Sequence, residues 1–196
     1  MDRRRYLAVL GTALVGGCVG STDPSSPTDS PTATDSQAAA AVGETVTYGG
    51  VEFAVSETRT ASEFRAAYVP DETETGERYV PADGAQFAMA WVRAEVVGDG
   101  ARVLPARNGD IKLLNDGESA RDIISTRRLT DADDGRRYRN EWVREEAGDG
   151  VYPGTVVEGW AIFEVGATID PNDATVAVEY VDDAAEDRTL EWQFDD

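Results

Sequence analysis

Apolar and polar residues alternate in short runs from about residue 42 to residue 196, which is the pattern of half-buried β-strands. The Gly49–Gly50 pair interrupts the first of these runs. A two-residue turn at this point would place Val46 opposite Phe53 and Tyr48 opposite Val51 on one face. The sequence therefore predicts that the folded part opens with a β-hairpin.

Residues 86–97 form a long β-rich run with apolar side chains at both odd and even positions, which predicts a central strand buried on both faces. In the last run, Leu190, Trp192 and Phe194 alternate with polar residues, so one face of that strand should be buried. An Asn-Asp-Gly turn at 115–117 separates two further runs. The remaining predicted strands are 111–114, 118–123, 156–165, 175–181 and 189–194.

These elements predict an all-β fold, an antiparallel immunoglobulin-like β-sandwich of about seven or eight strands over residues 42–196. Segments 58–83 and 125–149 interrupt the strand pattern, and residues 61–68 have the composition of one or two helical turns. Three tryptophans in predicted strands are expected to be core residues, namely Trp91, Trp160 and Trp192.

The first residues have the order of an export signal, in which basic residues precede a short apolar run. Arg3, Arg4, Tyr6 and Leu7 resemble the twin-arginine export motif, which implies export in the folded state. The apolar run 7–19 is shorter than the roughly 18 to 20 residues that a helix needs to cross a bilayer. A simple transmembrane anchor is therefore not expected.

Cys18 is the only cysteine of the chain. Residues 14–18 resemble a lipobox, in which the cysteine becomes the lipidated first residue of the mature protein. The alternative is an incidental cysteine behind an ordinary cleaved signal. A two-chain lipid on Cys18 would hold the protein stably on the extracellular face of the cell membrane, because each buried methylene contributes about 0.8 kcal/mol.

The chain is thus predicted to have three regions: a signal peptide at 1–17, a stalk at 18–41 and the β-sandwich domain at 42–196. Residues 21–41 are rich in Ser, Thr, Pro and Asp and contain no large apolar side chain. Such a segment cannot bury enough apolar surface to fold, so the stalk should be disordered.

The chain carries 38 acidic and 18 basic residues, a net charge of -20 and a pI near 4.2. This composition resembles that of proteins from extreme halophiles, which implies a halophilic archaeon as the source. Near 1 M salt the Debye length falls to about 3 Å, so the repulsion between carboxylates is screened. The alternative is that the acidic surface binds cations or basic partners. The net charge argues against nucleic acid as a partner.

Residues 153–165 and the Asp170–Pro171 pair that follows them complete a recognisable order of motifs. A Gly-Gly hairpin, a strand at 87–97 and an Asp-Gly hairpin at 115–118 precede them. The set resembles the immunoglobulin-like extracellular domain of unknown function that occurs in prokaryotic surface lipoproteins. The resemblance implies a fold and says little about activity, because these motifs consist of turn and core residues.

The sequence lacks histidine, which excludes histidine-based triads and imidazole metal ligands. Residues 131–135 resemble part of a calcium loop, but the spacing of the later ligands is wrong. We therefore expect no catalytic residues, no metal site and no cofactor. Because acidic residues are so abundant, a carboxylate-based hydrolase acting on surface polymers stays open as the alternative.

A basic and aromatic cluster between residues 125 and 149 is the one local exception to the acidic composition. It could bind an acidic glycan, a lipid head group or an acidic partner through guanidinium contacts and ring stacking. The competing interpretation is that its arginines pair with acidic residues of the same loop. The candidate partner-binding residues are Arg127, Arg128, Arg136, Arg137, Tyr138, Arg139 and Trp142.

Taken together, these features favour a lipid-anchored extracytoplasmic domain without catalytic activity. Its function would be binding or envelope interaction, with an envelope glycan or protein as partner. The hydrolase alternative would instead require a deep cleft with two converging carboxyl groups of raised pKa.

We predict that Cys18→Ser abolishes membrane retention, because the serine hydroxyl cannot accept the thioether-linked lipid. Fractionation of cells into membrane and medium, with mass spectrometry of the purified protein, checks this outcome. A wild-type protein with an unmodified Cys18 thiol would contradict it, as would a Cys18→Ser protein that stays in the membrane fraction.

Overall fold

The computed structural model describes residues 38–67, 76–105, 110–116, 118–122, 128–132, 134–138, 150–166, 168–181 and 185–196. The chain divides into two units, Met1–Ser36 and Gln37–Asp196, and every described residue belongs to the second. The predicted export motif at Arg3, Arg4, Tyr6 and Leu7, the lipidation site Cys18 and most of the stalk lie outside the described residues.

Within the described ranges the chain forms twelve strands and one short 3₁₀ helix at Pro171–Asp173. The strands are β1 Thr45–Tyr48, β2 Val51–Ala61, β3 Phe64–Ala67, β4 Glu77–Tyr79, β5 Gln86–Val96, β6 Ile111–Asn115, β7 Glu118–Ser119, β8 Arg121–Asp122, β9 Arg128–Leu129, β10 Val156–Val165, β11 Thr175–Tyr180 and β12 Arg188–Gln193.

The strands form three sheets, and the strand pairs within them are antiparallel. The central sheet has the order β1-β2-β5-β10-β8. The front sheet has the order β12-β11-β6-β7, and the small sheet has the order β4-β3-β9. The all-β antiparallel fold predicted from the sequence is therefore confirmed.

The main core lies between the central sheet and the front sheet. Phe53, Val92 and Phe163 contribute to it from the central sheet, and Tyr180 and Trp192 from the front sheet. All five side chains are buried. Complete burial of a large apolar side chain contributes about 1.5 to 3 kcal/mol, so this layer supplies most of the driving force for folding.

A second, smaller core lies on the other face of the central sheet. Phe87, Met89 and Ile162 point to this face, where Phe64 of β3 and Leu129 of β9 cover them. Half of the central sheet is thus buried on both faces, so the burial on both faces predicted for residues 86–97 is confirmed for the first half of β5 only. The small sheet is what covers the outer side.

The predicted hairpin is confirmed, since Val46 pairs with Phe53 and Tyr48 with Val51. The strand predicted at 189–194 is also confirmed, and its Leu190 is buried with Trp192 and Phe194. Both agreements have the same cause. In a strand with one solvent-exposed face, apolar and polar residues alternate, and this alternation is visible in the sequence without knowledge of the partner strand.

The helical turns expected at residues 61–68 are wrong. Ala61 ends the long strand β2, and residues 64–67 form β3. The physical reason is the alternation of buried Phe64, exposed Arg65 and buried Ala66, which follows a period of two. A bulge between Val55 and Glu57 shifts the register of β2 and lets it continue along β5 beyond the point where its apolar pattern stops.

The single strand expected at 118–123 is also wrong. Residues 118–119 pair with β6 in the front sheet, whereas residues 121–122 pair with β10 in the central sheet. This segment therefore crosses between the two layers. Together with the three strands of the small sheet, this division explains why the described residues form more strands than the seven or eight predicted.

Both ends of the folded part are hydrogen-bonded to strands, the first to β12 and the last to β2. Ala40 donates a hydrogen bond to the Glu191 carbonyl (2.8 Å) and accepts one from the Gln193 amide (2.9 Å), so the folded part includes residue 40, before the predicted boundary at 42. At the other end, the Thr58 hydroxyl accepts a hydrogen bond from the Asp195 amide (3.2 Å). Both ends are therefore fixed to sheet strands.

Residues 134–138, here named the strap, run beside β10 and pack closely against it at Gly159. The Trp160 amide donates to the Arg136 carbonyl (2.9 Å), and the Tyr138 amide donates to the Trp160 carbonyl (3.2 Å). Gly159 has φ +151°, and a Cβ atom on it would lie 2.5 Å from the backbone of Arg137. Only glycine allows both this backbone conformation and this close approach.

We predict that Gly159→Ala destabilises the protein by about 2 to 4 kcal/mol, because the new methyl group must push the strap away from β10. Gly166→Ala is the matched control, since a Cβ atom at Gly166 would have no atom within 4 Å. Thermal unfolding in molar salt measures both variants. Equal stability of Gly159→Ala and Gly166→Ala would contradict the close contact between the strap and Gly159.

Candidate functional site

The structure describes four of the seven residues of the predicted partner-binding loop. Arg127, Arg139 and Trp142 lie outside the described residues. Arg128 belongs to β9 and is exposed. The other three, Arg136, Arg137 and Tyr138, belong to the strap and have different environments.

Arg137 and Tyr138 do not lie at the surface. Tyr138 is fully buried in the main core, and its hydroxyl donates a hydrogen bond to the Pro105 carbonyl (3.1 Å). Arg137 is only 6% exposed and pairs with Trp160 through its backbone. Their assignment as partner-contacting side chains is therefore corrected, because both residues are buried.

Of the three predicted loop residues in the strap, Arg136 is the one that is exposed. Its guanidinium group forms ion pairs with Asp134 and with Glu158 of β10, the latter at 3.2 Å. The same group lies over the ring of Trp91 at 5.7 Å from the ring centre. The interpretation that loop arginines pair with acidic residues of the same loop is thus correct for Arg136 and Asp134.

Within the described ranges, two carboxyl groups near arginines have clearly altered pKa values, and both are lowered. Hydrogen bonds from Arg136 hold the pKa of Asp134 below its ordinary value, and hydrogen bonds from Arg78 do the same for the pKa of Glu63. A general acid of a glycoside hydrolase needs a raised pKa. These two groups therefore have the wrong protonation state at neutral pH for that role.

The strap and the small sheet leave part of the outer face of the central sheet accessible. We name this part the open half-face and define it by seven residues in three neighbouring strands. The strand registers place them in adjacent rows on one face, and each is half-buried or exposed. The open half-face consists of Glu52, Ala54, Trp91, Arg93, Glu95, Val156 and Glu158.

Arg93 lies at the centre of the open half-face and joins its three strands. Its guanidinium group contacts Glu52 of β2 at 3.5 Å, Glu158 of β10 at 3.6 Å and Glu95 of its own strand. Glu158 also contacts Arg136, so the ion pairs continue from β2 to the strap. Each of these strand side chains is only about one-quarter to one-third exposed, which restricts its rotamers.

Trp91 marks the boundary between the open half-face and the covered half. Its ring packs edge-to-face against Trp160 with 5.5 Å between centres, and Arg59 lies over Trp160 at 4.6 Å. Trp160 is buried, and its indole nitrogen donates to the Asp134 carbonyl (2.8 Å). The prediction of a core position is confirmed for Trp160 and Trp192, whereas Trp91 is only partly buried.

The open half-face was not predicted from the sequence, although a signal for it exists. On one face of β5, Phe87 and Met89 are apolar, Trp91 is amphipathic, and Arg93 and Glu95 are charged. A strand face that changes from apolar to charged indicates a cover that ends partway along the strand. The identity of that cover, the small sheet, is not visible in this pattern.

Among the described residues, no helix is long and apolar enough to cross a membrane. The same part of the chain contains no group of three or more acidic or cysteine side chains arranged to hold a metal ion.

Comparison with known proteins gives similarity at the level of structure. No protein-family model and no curated protein sequence matches this chain. The yjhA protein from Bacillus subtilis is 14% identical, with a TM-score of 0.45 over 79% of this chain and 99% of that chain. An uncharacterized β-sandwich protein from Clostridium difficile is 13% identical, with a TM-score of 0.43 over 79% and 91% of the two chains.

A further structure, the candidate lipoprotein ycdA from Bacillus subtilis, is 11% identical and gives a TM-score of 0.42. The match covers 78% of this chain and 39% of that protein, so this chain spans well under half of its length.

We predict that Asp134→Asn lowers the thermal stability at pH 7 and that the difference from wild type disappears on acidification. Because the folded-state pKa of Asp134 is lowered, its contribution is present above the ordinary value of 3.8 and is lost as the pH falls through the folded-state pKa. The effect should be small, since the Asp134 side chain is 43% exposed.

Thermal unfolding between pH 7 and about pH 2 at constant ionic strength measures this effect. Asp99→Asn, in the turn after β5, is the control with the same charge change. A difference between wild type and Asp134→Asn that does not depend on pH would contradict the role of the Asp134 carboxylate.

Proposed function

We propose that this protein is a lipid-anchored extracytoplasmic binding domain whose open half-face contacts an envelope component. The single observation that carries the proposal is this face, on which a partly exposed tryptophan adjoins a fixed set of ion-paired side chains. Tryptophan and arginine are the residues on which binding energy most often concentrates at protein surfaces. The anchor at Cys18 stays a prediction from the sequence.

The open half-face suits binding because its geometry is set before a ligand arrives. Arg93 and the glutamates around it extend from paired strands, and their ion pairs limit their motion. Preorganised side chains lose little conformational entropy when a ligand binds. By contrast, ion pairs of this exposure contribute little to stability, typically about 0 to 1 kcal/mol.

We predict that the purified protein binds washed cell envelopes saturably in molar salt and that Arg93→Gln weakens this binding about tenfold. The substitution removes the cation that holds Glu52, Glu95 and Glu158 in place, so about 1.4 kcal/mol of binding free energy should be lost. Cosedimentation with envelopes, quantified over a range of protein concentrations, gives the affinities.

Lys112→Gln is the matched control, because Lys112 also pairs with a strand glutamate, Glu179, but lies in the front sheet. It should bind envelopes as the wild type does. Equal loss of binding in both variants would contradict a role of the open half-face. Absence of saturable binding by the wild type would contradict the proposed function itself.

A further inference from the structure

The open half-face continues into an exposed apolar group at the far end of β5. Tyr152 is 73% exposed, Val97 49% and Val156 41%. Hydrogen bonds connect the turn that carries Tyr152 to the end of β5, since the Gly154 amide donates to the Val96 carbonyl (2.8 Å) and the Val96 amide donates to the Thr155 carbonyl (3.0 Å). Residues 152–155, here named the Tyr152 turn, thus extend the paired strands β5 and β10.

The resulting surface has aromatic residues at both ends and charged residues between them. From Trp91 in β5 to Val97, the residue after this strand, the chain advances six residues, which is about 20 Å at 3.4 Å per residue. Its width of three strands is about 10 Å. The area is therefore on the order of 200 Å², well below the roughly 800 Å² per partner of a stable protein interface. The dimensions suit a short, extended polymer.

The charges on this surface select against an anionic polymer. Three glutamates surround Arg93, and Arg136 contacts one of them, Glu158. A bound polymer with carboxylate or sulfate groups would have to place its anions in contact with these glutamates, at distances that molar salt does not fully screen. The acidic glycan considered for the arginine-rich loop is therefore disfavoured at this surface.

A cationic polymer meets a different obstacle. The carboxylates of Glu95 and Glu158 already accept contacts from Arg93 and Arg136. A ligand cation would have to displace these arginines and leave their guanidinium groups without partners, which costs free energy. An uncharged hydroxyl group avoids this cost, because it can donate to a carboxylate and accept from a guanidinium group without breaking their contact.

We propose that the open half-face and the Tyr152 turn bind a neutral oligosaccharide of the envelope. One sugar ring would pack on the part of Trp91 that Arg136 and Trp160 leave exposed, and another would pack on Tyr152, since aromatic rings offer large rigid contact areas with a polar edge. Hydroxyl groups between them would bond to the network around Arg93. This inference rests on the proposed binding function and names its ligand class.

Titration of the purified full chain in molar salt tests the proposal, with tryptophan fluorescence and calorimetry as readouts. The probes are maltotetraose, cellotetraose and chitotetraose, with tetragalacturonic acid and tetra-arginine as the charged comparisons. At least one neutral tetrasaccharide should bind, and both charged probes should bind at least about tenfold more weakly. Failure of all three neutral probes to bind at millimolar concentration would overturn the proposal, as would tighter binding of tetra-arginine.

Variants locate the binding site. Trp91→Ala should weaken binding of the neutral probe about tenfold and Tyr152→Ala about threefold, whereas Lys112→Gln should leave it unchanged. Trp91→Phe keeps an aromatic ring and should restore much of the affinity, which separates a loss of stacking from a loss of folding. Unchanged affinity of both Trp91→Ala and Tyr152→Ala would overturn the assignment of the surface.

Periodate and chitinase treatments of envelopes separate this inference from the proposed function. Periodate cleaves the vicinal diols of 4-linked hexoses, and chitinase cleaves chains of 4-linked N-acetylglucosamine, which lack such diols. One of these two treatments should abolish cosedimentation of the wild-type protein if a glycan is the ligand. Binding that survives both treatments but is still lost in Arg93→Gln would overturn the oligosaccharide and leave the binding function intact. No binding to untreated envelopes would overturn both.

Discussion

Burial of the central sheet on both faces over half of its length is the constraint on which the rest of the structure depends. The front sheet covers one face along the whole of β5, and the small sheet covers the other face only as far as Trp91. A strand that is apolar on both faces is stable only when other parts of the chain pack on both faces. The segments between the long strands form the small sheet, which packs on the second face. The part of that face that the small sheet leaves accessible is the open half-face, where binding is proposed.

The parts of the fold that could be predicted from the sequence are those with a local signal. The Gly49–Gly50 hairpin and the last strand follow from turn chemistry and a period of two, and neither depends on a distant partner. The small sheet was missed because its strands are two to four residues long and are stabilised by contacts with β5 and β10 rather than by their own pattern. Strands as short as these do not show a periodicity.

The candidate site could be predicted only in part, because the sequence does not show side-chain orientation or strand register. The arginine-rich loop was recognised by its composition, but composition does not show which way a side chain points. Where the strap packs against Gly159, Arg137 and Tyr138 are buried and Arg136 is exposed. Arg93 and Glu158 attract no attention in the sequence, because single charged residues in strands are common. Only the register between β5 and β10 brings them together.

The junction of Ala40 with β12 has a consequence for how the protein is made. Trp192 and Phe194 fill the middle of the main core, and Ala40 pairs beside them, so residues about 150 positions apart must meet before the core closes. A nascent chain that lacks residues 188–194 has an apolar slot open to water. Folding of this topology must therefore follow synthesis, and contacts so distant along the chain make it slow. Until then, the apolar side chains that Trp192 and Phe194 cover in the finished core stay accessible to water.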